Sequence, residues 1–176
     1  YQAPQHSRGR SAIGFGGTNE ELESRVQFIS QAYNNGHEIG SHAAGHYDGS
    51  TWSYADWYSE FMQFNNLIFN VFTNNRLNGP ALSFAPKNIH GFRAPLLGVS
   101  PGLYQVMKLP EVGPEQHFTY DASKVQEPGY WPEKINGLWN FPLPLVTLAG
   151  TARKVIAMDY NMYFTQTAMY YLSLIH

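Results

Sequence analysis

GHEIGSHAAGHYDG, residues 36–49, carries three of the chain's seven histidines. His42 and His46 stand four apart, and only Ala43, Ala44 and Gly45 separate them. This spacing suits a helical turn, which puts both rings on one side within ligand-to-ligand reach. The preceding residues, 37–41, read as a short buried strand. The pair therefore follows a strand directly, where α/β folds keep their chemistry. Neutral imidazole is the commonest zinc ligand, and a catalytic zinc keeps three protein ligands and a water. The small residues between the rings let a backbone turn and a substrate come close. A lone histidine is more often a surface or satisfied core residue, so the argument rests on the pair and its position. His37-Glu38 opens like the metalloprotease pattern H-E-x-x-H, but that pattern needs histidine at position 41, which is Ser41. Gly40 would also weaken the helix it requires.

Helices and strands alternate around this loop. Thr18 with Glu21 forms a capping box, Leu22, Val26, Ile29 and Tyr33 follow at helical spacing, and Gly36 closes the helix. Ser53 with Asp56 opens a second helix, through about residue 72, with an apolar stripe of Trp57, Phe61, Phe64, Ile68 and Val71. Strands are expected at 90–93, 118–123 and 155–164. A short helix is expected after Ser100, with Pro101 at its first position. Residues 126–137 read as turn-rich, and 139–146, interrupted by prolines, as an edge strand or extended loop. Alternation of this kind predicts an α/β architecture with a parallel sheet or barrel.

Composition narrows the partners. The 176 residues suffice for one domain with a real core. Only 14% are charged and the formal net charge is −2, so no basic stripe exists and nucleic acid is not an expected partner. No apolar run reaches the length of a membrane span. Aromatics at 15% suit neutral, flat-faced ligands such as sugars, though a well-packed core has the same composition. Cysteine is absent, which excludes a disulfide scaffold.

Three segments in order resemble the polysaccharide deacetylase family (NodB homology, carbohydrate esterase family 4). GHEIGSHAAGH (36–46) is similar to its second motif, GFRAPLLG (91–98) to its third, and HFTYDAS (117–123) to the strand that follows. The resemblance covers roughly residues 20–125. It implies a deformed (β/α) barrel, zinc held by His42 and His46, and Arg93 orienting a catalytic carboxylate. By the same resemblance Asp121 orients the acid histidine or a sugar hydroxyl, with a turn-capping aspartate as the alternative. Tyr47 and Trp52 are expected candidates for the border of a sugar groove, with Asp48 and Trp57 beside them, and core packing is the alternative for each tryptophan. LSLIH places His176 in the setting of the family's general acid. The implied activity is zinc-dependent removal of N-acetyl groups from an N-acetylglucosamine-containing polymer such as peptidoglycan or chitin, outside the cytoplasm.

Departures from the family pattern are equally specific. The family's first motif, an Asp-Asp pair that supplies the catalytic base and the third zinc ligand, has no counterpart, since the sequence contains no Asp-Asp. The position after Arg-x-Pro is Leu96 where many members carry an aromatic. Residues 1–176 are therefore read as one catalytic-domain fragment, incomplete at one or both ends. Two rival functions share these residues. One is a non-catalytic carbohydrate-binding relative that lost the acid pair, and the other is a metal-dependent O-acetyl esterase.

Overall fold

Two capping boxes start the two long helices. The Thr18 hydroxyl accepts from the Glu21 amide while the Glu21 carboxylate accepts from the Thr18 amide, opening α1, Asn19–Asn34. Gly36 follows at φ +88°, a left-handed turn that favours glycine. Ser53 and Asp56 make the same reciprocal pair at the start of α2, Tyr54–Phe69. The helix breaks at Asn70 instead of running to residue 72, and a single turn, α3 (Val71–Asn74), follows. The computed structural model of the chain describes residues 1–4, 17–109, 118–135, 137–148 and 150–158.

The sheet is built from distant segments. β1 (Gly91–Phe92) pairs in parallel with β2 (Tyr120–Asp121). α4 (Pro101–Met107) lies between them in the chain. The expected strand at 37–41 shrinks to one residue, Ser41, which bridges Phe92 in parallel. Its amide donates to Gly91 and its carbonyl accepts from Arg93. The Cβ that Gly40 lacks would lie 3.3 Å from the Gly91 carbonyl oxygen, so these two backbones run close.

The later strands correct two expectations. Residues 126–137 contain more than turns: they include the end of β3 (Val125–Gln126) and all of β4 (Glu133–Ile135). Residues 139–146 are not an edge. β5 (Leu138–Asn140) lies between β2 and β4, giving the order β1-β2-β5-β4, and β6 (Leu143–Thr147) lies between β3 and β7 (Lys154–Ile156). The prolines are tolerated because Pro142 falls between the two strands. Pro144 precedes the first registered pair of the β6–β7 ladder, and its carbonyl still accepts from Ala157. Of the strand expected at 155–164, the part beyond residue 158 lies outside the described residues. The described residues are thus a mixed α/β arrangement with two open sheets, and a closed barrel is not among them.

The core joins α2, α4 and one face of the first sheet. Phe61 packs edge-to-face on Phe92 and at a tilt against Phe118, with ring centroids 5.1 and 5.0 Å apart. Leu103, Val106 and Met107 of α4 are buried against the same cluster. Losing a phenylalanine such as Phe61 costs about 3–5 kcal/mol. Ser100 occupies the expected cap position, but its side chain makes no cap bond. Its hydroxyl instead accepts from Trp57 Nε1 at 2.9 Å and donates to the Trp52 carbonyl at 2.7 Å.

Candidate functional site

The C-terminal ends of the parallel strands bring the second and third motifs together. His42 follows the Ser41 bridge and Arg93 follows β1. Nδ1 of His42 lies 2.8 Å from the Arg93 backbone carbonyl. A carbonyl only accepts, so Nδ1 carries the proton and the Nε2 lone pair is left for a ligand. Arg93 Nε donates to the Ala122 carbonyl at 3.2 Å, which ties its side chain to the end of β2. Ser41, His42, Phe92, Arg93, Tyr120 and Ala122 all line one open cleft of about 340 Å³. Arg93 and His42 therefore share a cleft, whereas His46, expected in it as well, is not among its lining residues.

The histidine loop is not the expected helical turn. It bends through two left-handed residues, Ala43 at φ +60° and His46 at φ +54°. Such conformations are uncommon for residues with a Cβ, although histidine adopts them more readily than most. What holds the loop comes from α2. Glu60, 0% exposed, accepts at one carboxylate oxygen from the Ala44 amide (2.9 Å) and the Gly45 amide (2.7 Å). Its other oxygen accepts from the Tyr1 hydroxyl at 2.6 Å. A buried carboxylate with three donors is well satisfied, and two of those donors are the backbone amides between the histidines.

With the loop bent this way, the two imidazole centroids lie 5.2 Å apart at an interplanar angle of 67°. Zinc–nitrogen distances of about 2.0–2.1 Å and a tetrahedral angle put two imidazole centroids about 5 Å apart, so the pair has suitable spacing for one zinc. Nδ1 of His46 is buried with no hydrogen-bond partner among the described residues. Desolvation is the main cause pushing the His42 imidazole below its ordinary pKa. The charges of His46 and Arg93 add to it, and the bond to the Arg93 carbonyl opposes it. The result favours the neutral, ligating form. Among the described residues no group of three or more histidine, cysteine, aspartate and glutamate side chains is placed to hold a metal.

Other expected site residues lie elsewhere. Asp121 does not face the cleft: strand alternation turns Tyr120 and Ala122 toward it and Asp121 to the opposite side. There Asp121 accepts from the Ser123 amide (3.0 Å), the Ser123 hydroxyl and the Tyr104 hydroxyl (3.0 Å). Ser123 in turn accepts from the Ala94 amide at 2.8 Å. Asp121 therefore braces the backbone next to Arg93. Burial raises its carboxyl above the ordinary range, against the lowering effect of the Ser123 and Tyr104 bonds.

Trp52, 3% exposed, packs edge-to-face on Trp57 in the core and offers no groove wall. Trp57 is buried with it. Tyr47 stacks on Tyr1 and lines a separate cavity with Leu22 and Val26. His176 lies outside the described residues. The aromatics beside the cleft are instead Tyr120, Trp139 and Phe141, which border a neighbouring groove with Glu38. The available signal was the alternation of Trp139, on β5, with Phe141 two residues on. For Glu60 the signal was a carboxylate three residues after Trp57 and four before Phe64, on the apolar stripe of α2.

No family model and no curated protein matches the chain. Among solved structures it is similar to the Xyl-CE4 domain of a multidomain xylanase from the hindgut metagenome of Trinervitermes trinervoides. The identity is 20% and the TM-score 0.35, over 49% of this chain and 36% of that one. The match thus spans about a third of that neighbour's length. The functional reading rests on the site's own residues. No helix among the described residues is long and apolar enough to cross a membrane.

Proposed function

We propose that the chain belongs to a zinc-dependent hydrolase that removes N-acetyl groups from an N-acetylglucosamine-containing polysaccharide, peptidoglycan or chitin-like, outside the cytoplasm. The site would sit at the strand ends of a deformed (β/α) barrel. The observation that carries this reading is the imidazole pair, 5.2 Å between centroids, of which His42 is held to the backbone carbonyl of Arg93. His42 and His46 would hold the metal. When bound, zinc polarises the amide carbonyl and lowers the pKa of its water to about 7.

The chain's own groups prepare this chemistry. The Arg93 carbonyl fixes the His42 tautomer and ring orientation, the usual job of an outer partner of a metal ligand. Arg93, anchored through Nε to Ala122, presents the rest of its guanidinium to the cleft, where a fork of donors suits a catalytic carboxylate. A base must take the water's proton and an acid must protonate the departing amine. The family resemblance gives the acid role to His176. Tyr120, Trp139 and Phe141 supply flat apolar surface beside the cleft for sugar rings.

The test is acetate release from N-acetylglucosamine oligomers, measured together with zinc content and set against O-acetylated xylan. Zinc-dependent release from the amide substrate supports the proposal. Release from the ester alone selects the esterase, and sugar binding without any release selects the non-catalytic relative.

A further inference from the structure

We infer that Glu60 is the positioning residue of the histidine pair: from α2 it sets the spacing of His42 and His46 and thereby the affinity of their metal. The inference rests on the metal reading of that pair. Ala43 and His46 are both left-handed, so the loop between them departs from the helical turn that its spacing suggests. Something outside the loop has to select that path. Among the described residues the buried group that reaches it from another element is the Glu60 carboxylate, accepting from Ala44 and Gly45, whose amides lie between the two ligands, while the neighbouring Ser41 hydroxyl accepts from Ala43. Both amides converge on the same oxygen, so their N–H bonds must point to one spot. That convergence constrains the backbone of exactly the segment whose path decides where the two rings go.

Length, more than charge, is what this role demands. A carboxylate one methylene shorter falls back toward α2 and cannot accept from both amides. Glutamine keeps the length and one acceptor oxygen, and its amide nitrogen can donate to the Tyr1 hydroxyl in place of the present bond. A purely electrostatic role would give the reverse order of tolerance.

The experiment uses the protein as its gene encodes it and zinc alone as the probe. Zinc is titrated into wild type, Glu60→Gln, Glu60→Asp, Glu60→Met and a variant lacking both His42 and His46, with thermal midpoints measured in parallel. Wild type binds and the double histidine variant does not. Glu60→Gln stays within about three-fold of wild type. Folded Glu60→Asp and Glu60→Met lose about 10–100-fold, the usual loss for an outer partner of a metal site. Either of these binding like wild type, or Glu60→Gln losing as much as they do, overturns the role of Glu60 while leaving the metal site standing. Wild type binding no tighter than the double histidine variant overturns the metal reading and this inference with it. Hydrogen exchange in wild type needs no variant to fold: protected Ala44 and Gly45 amides support the role, and exchange at open-loop rates overturns it.

Discussion

Nδ1 of His42 donates to the backbone carbonyl of Arg93 across 2.8 Å. One residue of each motif thus meets its counterpart through a backbone atom that no substitution at position 93 removes. Replacing either His42 or His46 with alanine should lower both zinc content and acetate release, the latter by about a thousand-fold, because the metal supplies the activated water. His37→Ala is the control and should leave both unchanged. Full activity in either ligand variant sinks the metal reading.

Arg93→Lys should separate the side chain's role from its backbone's. The carbonyl that orients His42 is retained, so zinc content should stay near wild type. A point charge cannot reproduce the guanidinium fork, and turnover should fall about a hundred-fold. Steady-state kinetics with a melting curve decide it, and unchanged kcat rejects the role.

The two buried tryptophans should respond differently to phenylalanine. Trp57 Nε1 donates to Ser100, whereas Trp52 Nε1 is buried without a partner among the described residues. Trp57→Phe leaves the Ser100 hydroxyl short of a donor and should cost about 1–3 kcal/mol. Trp52→Phe removes an unsatisfied donor, offsetting lost packing, and should cost less than Trp57→Phe. Denaturant titration orders the pair, and KM for an oligosaccharide should be unmoved in Trp52→Phe because that ring is in the core.

Local signals carried most of what was readable. Both capping boxes form as their sequences imply, since each depends on residues three apart. The meeting of His42 with Arg93 was also foreseeable, through motif order and strand ends. The path of the loop was not. It is decided by Glu60, whose place on the apolar stripe signals burial but whose partners, the Ala44 and Gly45 amides, no local pattern gives. Which side Asp121 faces was not legible for a similar reason. A two-residue strand shows too little alternation to say which side faces the cleft, and its neighbours Tyr120 and Ala122 took that side. Trp52 looked available for a sugar because aromatic content alone does not separate groove from core.

Asp121 predicts a pH dependence of stability. Its folded pKa lies above the ordinary 3.8, with desolvation the largest cause. Between 3.8 and the folded value the native chain binds more protons than the unfolded one. Its contribution therefore improves as pH falls through the folded value and levels off below 3.8. Asp121→Asn lacks this term. Wild type should gain on Asp121→Asn as the pH is lowered from 7 toward 4, read as the difference in thermal midpoint. A constant difference, or one of opposite sign, contradicts the assignment.

The parallel ladder has a kinetic consequence. Ser41 waits for Phe92, Phe92 for Asp121, and Asp121 for Asn140, and each partner is brought by a loop that must close first. Helices α1 and α2, with their own caps, form from neighbours along the chain and need none of these closures. Refolding followed by stopped-flow circular dichroism should show helix signal ahead of tertiary aromatic signal, because non-local pairing is slow. The imidazole pair depends on Arg93's carbonyl from one such closure and on Glu60 from another contact across the chain. The ligand pair is thus assembled late, and metal added during refolding finds it only after the sheet has closed.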